Sequence, residues 1–165
     1  MHDINLICDY IINKVKSDED ILLSNLKLQK LLYYVQAWYL AYYDKPIFVG
    51  KFEAWVHGPV NRAIYERFKN TKNIYSNISI EDIISNDFTK LQEKDKQFID
   101  EVLEAYMPFS GTELEYMVHN ETPWMDARGD LLPTSRCTTE IDDKLITSFY
   151  KKRINAENNS ATNTE

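Results

Sequence analysis

Ile4, Ile7, Cys8, Ile11, Ile12 and Val15 recur every three to four residues, the spacing that lines side chains along one face of a helix, and Asp3 stands where such a helix begins. A polar break over residues 16–20 follows. Residues 26–43 differ in kind. Behind Ser24 or Asn25 as N-cap, apolar and aromatic side chains occupy almost every side, so this helix is predicted to be central and surrounded. Its few polar positions, Lys27, Gln29, Lys30 and Gln36, must face a gap in the bundle or reach past their neighbours to water. Pro46 ends the helix, because proline lacks the amide and clashes with the preceding turn.

Residues 47–56 carry Phe48, Val49, Phe52 and Trp55 around Gly50, which suits a short hairpin or an irregular covering loop. Pro59, after Gly58, stands where a helix can start without losing a hydrogen bond, and Val60, Ile64, Tyr65 and Phe68 give that helix its inner face. Residues 70–79 read as loop, and residues 80–88 fit either a short helix or irregular chain. From Glu93, the spacing of Phe98, Ile99, Val102, Leu103 and Tyr106 predicts an amphipathic helix that ends at Pro108. Ser110 and Glu113 have capping-box spacing for the next helix, with Leu114, Met117 and Val118 inside. Pro123, Trp124 and Met125 read as a connector ending near Gly129. Thr138 or Thr139 caps a last helix with Ile141, Leu145, Ile146, Phe149 and Tyr150 inward and Lys151, Lys152 and Arg153 placed against its dipole.

The predicted architecture is mainly α: a compact single-domain bundle of about six helices around a central apolar helix, with room for a short β-hairpin near residues 47–56. Residues 1–154 form the domain, and residues 155–165 read as a disordered polar tail. A chain of 165 residues supports one core. Four Gly and five Pro are too few for a turn-rich all-β fold. No internal repeat is visible.

Charge narrows the partners. Lys and Arg number 19 against 26 Asp and Glu, a net charge of −7, and the acidic excess runs through residues 81–104. Such a surface repels phosphate backbones, which disfavours nucleic acid and favours a basic protein partner, unless the acidity only keeps the chain soluble. Cys8 and Cys137 lie far apart without CxxC spacing, so neither a disulfide framework nor a zinc knuckle is indicated and a reducing cytoplasm fits. Asp3 and Asp9 interrupt any signal-peptide pattern, and residues 31–43, with Gln36 and five tyrosines, are too short and polar for a membrane span.

Catalysis needs a base, nucleophile or metal held by convergent neighbours. His57 lies four residues from Glu53, and His119 two from Glu121, but neither makes the HExxH or paired-histidine spacing of a metal site. Nucleotide-cradling and nucleophile-elbow motifs are absent. Glu113, Glu115 and Glu121 read more simply as a helix cap and a solvated face than as an acid pair. No catalytic residue, cofactor or metal is therefore predicted. The rival reading is a metal-dependent hydrolase or nuclease built on His57, His119, Glu53 and Glu121.

Three stretches stand out together: Leu26-Lys27-Leu28-Gln29-Lys30-Leu31-Leu32-Tyr33-Tyr34, then Glu53-Ala54-Trp55 through His57-Gly58-Pro59-Val60, then His119 with Pro123-Trp124. In this order they resemble the Panacea domain, the SocA-like antitoxin domain, over nearly the whole chain. The resemblance implies a helical antitoxin of a bacterial or phage toxin–antitoxin pair that neutralises a protein toxin by direct binding, without enzymatic activity. A related member acts as an adaptor that delivers its toxin to a protease, and residues 155–165 would be the tether here. Carried over by position, the signature and candidate partner-binding residues are Lys27, Lys30, Tyr34, Trp55, His57, Gly58, Pro59 and Trp124. Tyr75 and Phe52 are candidate exposed anchors beside them. Trp55, Pro59 and Trp124 equally suit wedges that close the bundle. Lys30, inside an almost wholly apolar helix, is expected to be buried and ion-paired with Glu53 or Glu121.

Overall fold

The fold is organised by α2 (Asn25–Tyr43), and the computed structural model describes it within residues 1–162 of the chain. At its start the Ser24 hydroxyl accepts from the Lys27 amide, and at its end Asp44 adopts a left-handed conformation (φ 53°). Around α2 pack α1 (Ile4–Val15), α4 (Glu93–Tyr106), α5 (Gly111–His119), α7 (Asp143–Thr162) and the second strand of a hairpin, β1 (Phe52–Trp55) and β2 (Gly58–Asn61). Two short helices, α3 (Arg62–Phe68) and α6 (Thr122–Arg128), follow β2 and α5, and 3₁₀ turns at Ile80–Asp82 and Phe88–Lys90 cross the remaining loop. Leu28, Leu31, Leu32, Tyr33, Tyr34, Val35 and Ala37 are all buried, so α2 is the core that the other elements cover. Burying each of its large apolar side chains stabilises the fold by roughly 1.5–3 kcal/mol.

The four polar side chains of α2 do not reach out to bulk water, although Lys27 borders one cavity and Gln29 and Lys30 another. Each is buried and bonded to the backbone of β2 or of a connecting segment. Lys27 donates to the carbonyl of Met107 (2.6 Å) and Lys30 to that of Pro59 (3.2 Å). Gln29 accepts from the Asn61 amide (2.9 Å) and donates to the Asn61 carbonyl (3.3 Å). Gln36 does the same for the Ile47 amide (3.0 Å) and the Phe48 carbonyl (3.3 Å). Backbone groups that lack a ladder or helix partner must be satisfied somewhere, and here the central helix satisfies them.

Several boundaries differ from the sequence reading. The hairpin is centred on Val56 and His57, not within residues 47–56, and Pro59 lies in β2 opposite Ala54 instead of opening a helix. α3 starts after Asn61, whose side chain accepts from the Ile64 amide. Residues 122–128, read as a connector, form α6 with Pro123 in its first turn, where a missing amide is harmless. The last helix starts at Asp143, not behind Thr138 or Thr139, because β1 uses that backbone: the Ala54 amide donates to the Thr139 carbonyl (2.8 Å) and the Ile141 amide to the Phe52 carbonyl (2.7 Å). Residues 155–162, whose polarity predicts disorder, continue α7, with the Ser160 hydroxyl donating to the carbonyls of Ala156 and Glu157. Residues 163–165 of that predicted tail lie outside the described residues. Among the described residues, no helix is long and apolar enough to cross a membrane.

Candidate functional site

The antiparallel hairpin pairs Trp55 with Gly58 and Ala54 with Pro59, which turns the chain sharply at Val56 and His57. Gly58 has φ 95°, and a Cβ there would lie 2.5 Å from Lys30 Cε and 3.0 Å from Val118 Cγ1. Only glycine lets this turn close on the buried lysine. Trp124, at the start of α6, fixes the same turn from below. Its indole donates to the Trp55 carbonyl (3.0 Å), its ring stacks on His119 (4.1 Å between centroids), and Arg128 covers its face.

Lys30 is 0% exposed, and burial pushes its ammonium down to about 7, opposed by the Glu115 carboxylate. The expected ion pair with Glu53 or Glu121 is not formed. Glu53 is held by Arg62 (2.8 and 2.6 Å) and the Trp55 indole (2.7 Å), and the Arg62 hydrogen bonds keep its carboxyl below the ordinary range. Glu121 is not on a solvated face. It is buried, accepts from Tyr34 (3.2 Å) and Tyr150 (2.5 Å), and has Arg153 at 3.6 Å; burial raises its pKa. Glu113 does cap α5, and Glu115 stands between two imidazoles, 2.9 Å from His57 Nδ1 and 3.9 Å from His119 Nε2. Burial pushes the His119 imidazole down. Glu53 and Glu121 are thus committed to partners other than His57 and His119. Among the described residues no three His, Cys, Asp or Glu side chains are grouped to hold a metal.

Of the eight candidate residues, Lys27, Lys30, Tyr34, Gly58, Pro59 and Trp124 are buried, Trp55 is half-buried and His57 is exposed. The two that reach the surface open onto a cleft of about 560 Å³ whose walls include Trp55, His57, Tyr65, Lys69, Lys72 and Arg136, with Lys30 at its lining. No carboxylate contributes to that lining. Lys69 pairs with Glu66, and Lys72 with Asp82 at 3.2 Å, while Arg136 is exposed. A larger cavity of about 830 Å³ lies between the 17–24 loop and the start of α5, but it touches only Lys27 among the candidates. The smaller cleft is the one that the hairpin signature builds. Tyr75 is exposed as expected, whereas Phe52 is only 2% exposed and belongs to the core.

Sequence reasoning missed Arg128, Arg62 and Arg136, and it placed Tyr65 on the inner face of its helix, whereas that side chain is 36% exposed. Arg128 is buried and donates to the carbonyls of Ala54, Leu132, Pro133 and Ser135, pinning the segment that bears Arg136 to the hairpin. It lies one turn after Trp124 on the same face of α6, and its guanidinium sits over that ring, but the four carbonyls that it gathers have no counterpart in the sequence pattern. Tyr65 and Arg62 were open to detection, as an aromatic and a cation beside Trp55, where the rings now meet at 4.8 Å and the guanidinium lies 5.5 Å from the Trp55 ring.

The family described as "Antitoxin SocA-like, Panacea domain" matches residues 28–125, which contain the α2 signature, the hairpin and Trp124. A curated relative, "Antitoxin SocA" of Caulobacter vibrioides (strain NA1000 / CB15N), is 41% identical over 68 residues, which is 40% of this chain and 36% of that protein. The match therefore spans about a third of the relative's length. No solved structure matches the chain.

Proposed function

The chain belongs to the SocA-like antitoxin, Panacea-domain family, and from that premise we propose that it neutralises a cognate protein toxin by binding it directly, with the cleft beside the Trp55–Gly58 turn as docking surface. The observation that carries the site assignment is that the family signature spends most of its residues on burying and holding one turn, and that turn forms a wall of the cleft. A rigid, partly exposed Trp55 braced by Tyr65 and Arg62 is the kind of anchor on which binding energy concentrates. The carboxylate-free lining reverses the expectation from net charge: at this cleft the complementary segment of the toxin is acidic. Masking a toxin in this way needs an interface on the order of 1,600 Å² in total, so the cleft is the centre of a larger contact.

The test is co-expression with the product of the neighbouring reading frame. That product is expected to be toxic alone, harmless with this chain, and retained by it in a pull-down. Lys69→Glu with Arg136→Glu is expected to abolish both protection and retention while the protein stays folded. Failure to bind the co-encoded protein overturns the antitoxin reading. Full protection by the charge-reversed variant overturns the cleft assignment. A delivery role to a protease gains no separate support, since residues 155–162, the candidate tether, are helical.

A further inference from the structure

At the opposite end of α2, about 20 Å from Lys30 by helical rise, the chain builds a second recess with inverted chemistry. Trp38, Tyr42, Tyr43, Phe98 and Tyr106 line a pocket of about 470 Å³, with Glu101 and Glu157 beside them and no lysine or arginine in its lining. The rings are held in place. The Trp38 indole donates to the Tyr106 hydroxyl (2.8 Å), and Phe98 meets Tyr42 and Tyr43 edge-on at 6.0 and 5.6 Å between centroids. Tyr42 and Tyr43 nevertheless remain 56% and 47% exposed, and both glutamates are exposed.

Elsewhere the protein covers aromatic faces with its own cations: Lys14 over Tyr10, Arg62 over Trp55, Arg67 over Phe68, Arg128 over Trp124 and Arg153 over Phe149 and Tyr150. Among the described residues no cation lies over Trp38, Tyr42, Tyr43 or Phe98. Lys151, on α7, is tied to Asp44 (2.5 Å) instead. Aromatic faces attract cations through the ring quadrupole, and two carboxylates add a counter-charge. We propose that this pocket receives an arginine or lysine side chain presented by a basic segment of a protein partner. The rim of half-exposed tyrosines leaves the pocket open on one side, which suits a side chain projecting from a larger surface, and the net charge of −7 steers such a surface inward. This contact is additional to the toxin cleft and does not depend on it.

The experiment is a ¹H–¹⁵N NMR titration of the full chain with the peptide acetyl-Gly-Arg-Gly-amide and with its neutral citrulline counterpart. The arginine peptide is expected to shift the Trp38 indole and the backbone amides of Tyr42, Tyr43 and Phe98, to leave the Trp55 indole unmoved, and to bind about fivefold more tightly than the citrulline peptide. Glu101→Gln with Glu157→Gln, both at exposed positions, is expected to remove most of that preference without changing the remaining spectrum. Equal binding of the two peptides, shifts centred on Trp55, or no shift at all overturns the proposal. Because no toxin is present, none of these outcomes bears on the antitoxin reading.

Discussion

The two ends of α2 solve the problem of a buried helix in opposite ways. At the N-terminal end, Lys27, Gln29 and Lys30 carry polar groups into the core and spend them on the backbone of the hairpin and of the turn before α5. At the C-terminal end, Trp38, Tyr42 and Tyr43 rely on ring packing and stay partly in water. Interlocked polar groups tolerate little, because removing one leaves another buried and unpaired, whereas half-exposed rings lose only contact area. The hairpin end is therefore built for a fixed shape and the aromatic end for an adaptable surface.

The largest expected effect tests that rigidity. Gly58→Ala places a Cβ against Lys30 and Val118 at φ 95° and is expected to lower unfolding free energy by about 3 kcal/mol. Tyr42→Ala, at the other end, is expected to change it by no more than about 0.5 kcal/mol. Urea denaturation of both variants decides the matter, and equal losses would erase the difference between the ends.

Next comes pH. The Lys30 ammonium, ordinarily near 10.5, is pushed by burial to about 7 in the folded chain. Between these values the unfolded chain holds a proton that the folded chain has released, so stability rises with pH, by about 1.4 kcal/mol per unit. From pH 7 to 8.5 the wild type is expected to gain about 2 kcal/mol more than Lys30→Met, whose side chain fills the same space without a charge. Lys27 is pushed down too, chiefly by burial, so the difference between the two proteins is the readout and not the slope of either alone. Parallel slopes would mean that the ammonium is solvated.

How far the sequence could be read follows the same division. Periodicity located α1, α2, α4 and α5, and the Ser24 and Ser110 caps, because those signals are local. The burial of Lys30 was legible from its apolar neighbours, but its partner was not. A lysine inside a helix advertises a need for an acceptor, and a carboxylate is the conspicuous candidate in a sequence, while the carbonyl of Pro59 is invisible there. The start of α7 was missed because residues 139–141 pair with β1 across a long stretch of chain. The cleft itself depends on Arg128 gathering four carbonyls, a tertiary arrangement without a sequence pattern.

Binding should separate the ends again, with a smaller effect. Trp55→Ala is expected to weaken toxin binding about tenfold, near 1.4 kcal/mol, by isothermal titration calorimetry. Tyr42→Ala, exposed at the other end of α2 and outside the cleft lining, serves as the control that leaves affinity unchanged. A loss at Tyr42 equal to that at Trp55 would move the interface off the hairpin turn.

The smallest effect concerns the aromatic end. Trp38→Phe keeps a ring in the pocket but removes the indole N–H that the Tyr106 hydroxyl accepts. One hydrogen bond at a partly buried position contributes about 1 kcal/mol, so a Tm shift of a few degrees is expected. The consequence for recognition is specific. Toxin binding at the hairpin should be unchanged, because α2 between the ends is buried on every side and held by core packing. Affinity for the arginine peptide should fall, because tryptophan presents the best face to a cation and phenylalanine a weaker one. If Trp38→Phe instead weakened toxin binding as much as Trp55→Ala, the two ends of α2 would belong to one continuous interface, and the inverted chemistry of the two recesses would describe the halves of a single partner's surface.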